Sequence, residues 1–187
     1  MCAGSSRVSA GVRSSPVTRP QLFAVSGATG VGKTTATARL PELVPEVLRL
    51  DGDLLWSNEF FDRPESIMRF YATWLNIGAA IAENGVSLVF CGAVAPSNWE
   101  PLPERERVGD IHYLALVCEA EVHEARFRTR GPGSQDFRLP HFLNHNRWLR
   151  ENASTTEPPM HVIDSTHQLP EETTEAVAAW IRSKLQR

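Results

Sequence analysis

From Gln21 onward, short apolar runs alternate with longer stretches in which apolar residues recur every three or four positions. The short runs are Leu22 to Val25, Glu46 to Leu50, Val86 to Phe90, Ile111 to Val117 and His161 to Asp164. They predict five strands, and apolar character carried on consecutive residues marks strands buried on both faces. Between the first two, Thr34 to Leu43 carries Ala36, Ala38, Leu40 and Leu43 and predicts a helix ending near Pro41 to Pro45. Pro64 to Asn84 is the longest helical pattern, with Ile67, Tyr71, Trp74, Leu75, Gly78 and Ile81 or Ala82 at helical spacing and Gly85 as its stop. A helix with Arg126 and Arg130 on one face follows the fourth run; Pro140 to Asn152 predicts another. Pro170 to Gln186 closes the chain with Val177, Trp180, Ile181 and Leu185 turned inward. Such alternation predicts an α/β fold of three layers, α/β/α: a parallel sheet covered on both faces, with the ligand at the C-terminal ends of the strands.

Length and composition narrow this further. A chain of 187 residues supports one substantial core, so residues 21–187 are expected to form a single domain. Met1 to Pro20 has Arg7, Arg13 and Arg19, no acid and almost no apolar content, the composition of a disordered tail. A formal charge of −3 with 22% charged residues suggests no polyanionic partner, so nucleic acid is not expected. No apolar run approaches the roughly 20 residues of a membrane helix, and the first twenty residues lack the apolar core of a secretory signal. A cytoplasmic protein is the expectation. Cys2, Cys91 and Cys118 are odd in number and far apart, which predicts no disulfide; His141 and His145 lack the intervening glutamate of a zinc-protease helix and read as surface or lid histidines.

The chemistry begins at Gly27-Ala28-Thr29-Gly30-Val31-Gly32-Lys33-Thr34, set between the first strand and the first helix, with Thr35 beside it. Small residues let successive backbone N–H groups turn onto phosphate oxygens, Lys33 can reach the β- and γ-phosphates of a nucleotide, and the Thr34 hydroxyl can reach Mg²⁺. The helix that follows would aim its positive end at the same anion. The second strand ends in Asp51-Gly52-Asp53. Residues two apart on an extended backbone share a side, so both carboxylates can face the crevice. Repulsion between them calls for a magnesium ion or a donor nearby; alternatively one of them caps the next turn. Farther on, Gly131-Pro132-Gly133-Ser134-Gln135 forms a flexible break among Arg126, Arg130, Arg138, Arg147 and Arg150, the composition of a lid at about residues 126–150 that closes on triphosphate.

These residues resemble the P-loop kinase superfamily of small-molecule and nucleotide kinases, and the resemblance spans roughly Gln21 to Leu185. It implies a five-stranded sheet of order 2-3-1-4-5 and the use of ATP with Mg²⁺. Leu50-Asp51-Gly52-Asp53 is similar to the second-strand signature of adenylylsulfate and gluconate kinases, and more loosely to that of shikimate kinase and chloramphenicol phosphotransferase. In those families the acid matching Asp53 lies against the acceptor hydroxyl. Arg126 and Arg130 are similar to lid arginines that contact nucleotide phosphates, and Asp164-Ser165-Thr166 falls where related kinases rest the adenine.

The expected activity is transfer of the ATP γ-phosphate to a hydroxyl of a small molecule, with Asp53 as general base, Lys33, Arg126 and Arg130 stabilising charge, and Thr34 with Asp51 at the metal. Two alternatives stand beside it. A nucleoside or nucleoside-monophosphate kinase shares the lid and adenine features, although a monophosphate acceptor calls for more arginines than the Arg63 and Arg69 found between Leu54 and Trp74. A nucleotide-binding module that hydrolyses ATP slowly, or not at all, is the other.

Overall fold

The computed structural model describes residues 19–56, 65–129 and 136–186. Its centre is one sheet of five parallel strands, β1 (Leu22–Ser26), β2 (Val47–Asp51), β3 (Ser87–Gly92), β4 (Ile111–Val117) and β5 (His161–Asp164). The strands lie in the order β2-β3-β1-β4-β5. This is the expected α/β architecture and the expected order.

Around the sheet run α1 (Lys33–Ala38), α2 (Leu40–Leu43), α3 (Ser66–Glu83), α4 (Pro96–Trp99), α5 (Ala120–Arg128), α6 (Leu139–Asn152) and α7 (Pro170–Leu185). Every residue of β1 is buried, because the strand is central in order and covered on both sides. Its side chains alternate between two cores. Leu22 and Ala24 join Trp74 and Leu75 of α3, Phe90 of β3 and Trp99 of α4. Phe23 and Val25 join Leu40 of α2 and Val177 and Ile181 of α7.

Several boundaries differ from the sequence reading, each for a local reason. The helix expected over Thr34 to Leu43 breaks at Arg39 into α1 and α2, with Pro41 in the first turn of α2. A proline there lacks the N–H that a continuous helix would use and crowds the preceding turn. Both β2 and β3 run on past their expected ends, to Asp51 and to Gly92, since each residue still finds a partner in the ladder. Glu104 to Arg107 lies in a 3-10 turn, Pro103–Arg107, where Arg105 pairs with Glu100 at 2.9 Å and donates to the carbonyls of Val108 and Gly109. Gly85 stops α3 as expected, at φ 77°.

The expected tail up to Thr18, Arg63 and the break at 131–135 lie outside the described residues. No helix among the described residues is long and apolar enough to cross a membrane.

Candidate active site

The phosphate loop joins β1 to α1 at the C-terminal edge of the sheet. Gly27 passes so close to β4 that an added Cβ would stand 2.7 Å from the Leu116 carbonyl oxygen. Gly30 and Gly32 sit at φ 92° and φ 109°, in the left-handed region that glycine enters without steric cost. Space at Gly32 is open, with no atom within 4 Å of an added Cβ, and Gly32 caps α1 with no side-chain hydrogen bond and no acid in the first helical turn. The loop therefore presents backbone donors and an uncompensated helix end to the solvent side. Lys33 Nζ donates to the Ala28 carbonyl at 3.0 Å, folded over its own loop.

Three contacts brace this loop from behind. Arg126 of α5 donates to the carbonyl of Val31 at 3.2 Å, to Ser165 Oγ at 2.9 Å and to the Ser165 carbonyl at 2.8 Å. At least three of its five donors are thus spent on protein, joining the loop to the segment after β5. Fully buried His123 places Nε2 2.8 Å from the Thr29 carbonyl, while its Nδ1 has no hydrogen-bond partner among the described residues. Phe127 packs on Ala28 and on Phe142 of α6, the rings 5.6 Å apart. Asn146 of α6 holds that helix to the end of β4 by donating to the Cys118 carbonyl and accepting from its N–H. His123 and Asn146 escaped the sequence reading; each acts on a backbone group distant in sequence and belongs to no local motif.

At the end of β2, Asp51 accepts from Arg49 at 2.8 Å through Oδ2 and from the Asp53 N–H at 3.1 Å through Oδ1. It caps the short 3-10 turn Gly52–Leu55. The donor needed beside the paired acids is thus Arg49, and the cap is Asp51. Gly52 lies against β3, where an added Cβ would meet the Phe90 ring at 2.9 Å. This close approach leaves Asp53 exposed on the turn.

One cleft of about 1330 Å³ takes in both halves. It is lined by Thr29 to Ala36 of the loop, by Asp51, Gly52 and Asp53, and by Arg126, Ser165 and Gln168. Trp56, Phe70 and Tyr71 add an aromatic wall to its lining, with Trp56 edge-on to Phe70 at 5.7 Å. From α6 come His141, Asn144, His145 and Trp148. Both histidines thus line the cleft, His141 exposed and His145 half-buried. Burial, and then the charges of Lys33, His141 and His123, lower the His145 pKa to about 4.

Other expected site residues are placed less centrally. Asp164 accepts two hydrogen bonds from Thr166. Burial acts to raise its carboxyl, but these bonds and Arg150 at 4.0 Å outweigh it and leave the group below its ordinary value. Asp164 and Thr166 thus form a turn around Ser165, the residue of the three that lines the cleft. Arg130 lies outside the described residues. Cys91 lines the cleft, but burial pushes its thiol pKa up, as it does for Cys118, so neither is a ready nucleophile at neutral pH.

No protein-family model matches the chain, and no curated protein matches it. Solved structures do match. A sugar kinase from Janibacter sp. HTCC2649 is 20% identical over 87% of this chain and 95% of its own, with a TM-score of 0.67. A gluconokinase from Sinorhizobium meliloti 1021 is 18% identical over 90% and 97%, with a TM-score of 0.65. Shikimate kinase from Acinetobacter baumannii, solved with shikimate, is 20% identical over 89% and 95%, with a TM-score of 0.58. The chain has the fold of the P-loop kinases. Thymidylate kinase from Candida albicans matches as well, at 11% identity over 89% of this chain and 92% of its own, with a TM-score of 0.59.

Proposed function

We propose that this P-loop kinase fold carries an ATP-dependent phosphotransferase acting on a hydroxyl of a small molecule. The observation that carries the reading is the single cleft in which the phosphate loop and the Asp51–Asp53 turn share one hollow. A transferring phosphoryl group and an incoming alcohol need that proximity.

In this reading the loop amides and the end of α1 hold the triphosphate, and Lys33 leaves the Ala28 carbonyl to reach the β- and γ-phosphates. Asp53 accepts the proton of the acceptor hydroxyl as its oxygen bonds to the γ-phosphorus and the bond to the bridging oxygen of ADP breaks. Arg126 keeps the loop in shape, and the donors left on it, with Arg130, spread the charge that develops on the phosphoryl oxygens. Ser165 and the Asp164–Thr166 turn flank the adenine. Mg²⁺, when bound, would neutralise charge on the β- and γ-oxygens, held by Thr34 and Asp51. The donor set fits that ion: two of the Asp51 lone-pair sites are used by Arg49 and Asp53, leaving others open, and Thr34 is exposed in the same cleft. Phosphates and water complete such a site in place of a cage of side chains.

A nucleoside acceptor is favoured as the second reading by the wall of Trp56, Phe70 and Tyr71, which offers faces and edges to a base. Release of ADP from Mg-ATP, measured with and without a panel of sugars, nucleosides, nucleoside monophosphates and aromatic alcohols, tests both. Stimulation by a hydroxyl compound supports the kinase, and stimulation by monophosphates alone moves the reading to a nucleotide acceptor. A flat response across the panel, with Mg-ATP bound, supports a nucleotide-binding module.

A further inference from the structure

The acid turn and the phosphate loop are joined beneath the cleft by a chain of side-chain contacts. Arg49, on β2, points its Nε at Thr37 Oγ1, 3.2 Å away, and a second nitrogen at Asp51 Oδ2, 2.8 Å away. Thr37 is fully buried on α1, and its hydroxyl donates to the Lys33 carbonyl at 3.0 Å and lies 3.4 Å from Cys91 Sγ on β3. Asp51 passes the connection on by accepting the Asp53 N–H. Two nitrogens of one planar fork therefore connect the helix that begins at Lys33 to the carboxylate that caps the Asp53 turn.

From this geometry we infer that Arg49 is a positioning residue: its guanidinium clamps Asp51 to α1, so that the turn bearing Asp53 is held in register with a triphosphate bound on the loop. Arg49 acts through Asp51. With its side chain 20% exposed, and Asp51 24%, the pair lies where water competes only in part for these bonds. A fork is required because Thr37 and Asp51 are met by different nitrogens, and lysine has only one. The value of the clamp for catalysis rests on the kinase reading; its mechanics do not, and the two can fail separately.

The test is residue-resolved amide hydrogen exchange by NMR on the full chain, as wild type, Arg49→Gln, Arg49→Lys, Asp51→Ala and Arg49→Gln/Asp51→Ala. Without ligand, Arg49→Gln should speed exchange of the Asp53 amide roughly fivefold, the loss of one net hydrogen bond. Arg49→Lys should stay close to Arg49→Gln, and the double variant should exchange no faster than Asp51→Ala alone. Thr37→Val cuts the other arm and should give an intermediate acceleration, which keeps the clamp testable should Arg49→Gln not fold. With Mg·AMP-PNP as probe, wild type should gain protection in the turn at 51–55 as well as in the loop, whereas Arg49→Gln should bind the nucleotide and gain protection in the loop alone. Equal Asp53 exchange in wild type and Arg49→Gln overturns the proposal, as does full rescue by lysine or an effect of Arg49→Gln undiminished in the Asp51→Ala background. Absence of Mg·AMP-PNP binding to wild type instead sinks the kinase reading, while the ligand-free comparison still decides the clamp.

Discussion

Replacing His145 by glutamine should flatten the acid side of the stability profile. The His145 pKa is lowered to about 4 by burial and by the neighbouring charges of Lys33, His141 and His123. Its unfolded value is about 6.5. The native state therefore resists protonation, so this contribution to stability is full above pH 6.5 and is lost as the pH falls towards 4. Between pH 7.5 and pH 5 the linkage amounts to about 2 kcal/mol, a ceiling because the imidazole is only partly buried and solvent screens part of the penalty. His123, whose pKa is lowered by burial in the first place, adds to the trend with the same sign. Urea unfolding of wild type and His145→Gln at the two pH values isolates the His145 part, because carboxylates and His123 titrate in both proteins. Wild type should lose more stability than the variant by an amount approaching that ceiling. Parallel losses in the two proteins would refute the assignment and mean that His145 is solvated enough to titrate normally.

Three further outcomes follow from the site. Lys33→Ala should weaken Mg-ADP binding roughly ten- to hundredfold, the order of one hydrogen bond to a charged group, and calorimetry reads it directly. Asp53→Asn should leave ATP affinity as it is and slow transfer to the stimulating acceptor by roughly 10²- to 10⁴-fold; unchanged turnover would remove Asp53 from its assigned role. Gly52→Ala should cost about 1–3 kcal/mol in thermal or urea unfolding, since its Cβ would meet the Phe90 ring at 2.9 Å and the Cys91 carbonyl oxygen at 3.3 Å; a neutral result would mean that the turn stands farther from β3.

The parts of the site that were legible in the sequence are those whose geometry is local. Gly27 to Thr34 carries its conformation in eight consecutive residues, with Gly30 and Gly32 at the two positive φ angles of the loop, so strand, loop and helix follow from order alone. Ile111 to Val117 emerges with its predicted boundaries because a run of apolar residues buries nearly all of the strand, and His161 to Asp164 does so at the sheet edge, where it pairs with β4 from Leu114 to Val117. The split at Arg39 was foreshadowed by Pro41, but its place depends on how α2 packs Leu40 into the core.

Asp51 marks where that legibility ends. Its spacing from Asp53 announced a pair of acids facing the crevice, and the sequence left open whether metal, donor or cap would relieve their repulsion. Arg49, two residues earlier on the same strand, supplies a donor and Asp51 the cap; that the same guanidinium also reaches Thr37 of α1 follows only from the tertiary placement of β2 and α1. Likewise His123 meets Thr29, Arg126 meets Ser165, and Asn146 meets Cys118 across separations that no periodicity encodes. The chain by itself determined most of the elements, their order along the sequence and the glycine loop between β1 and α1, because backbone preference and burial act over a few residues. Tertiary structure alone decided which side chains brace that loop and which carboxylate stands exposed, because those bonds form only once the sheet has brought distant segments within hydrogen-bonding reach.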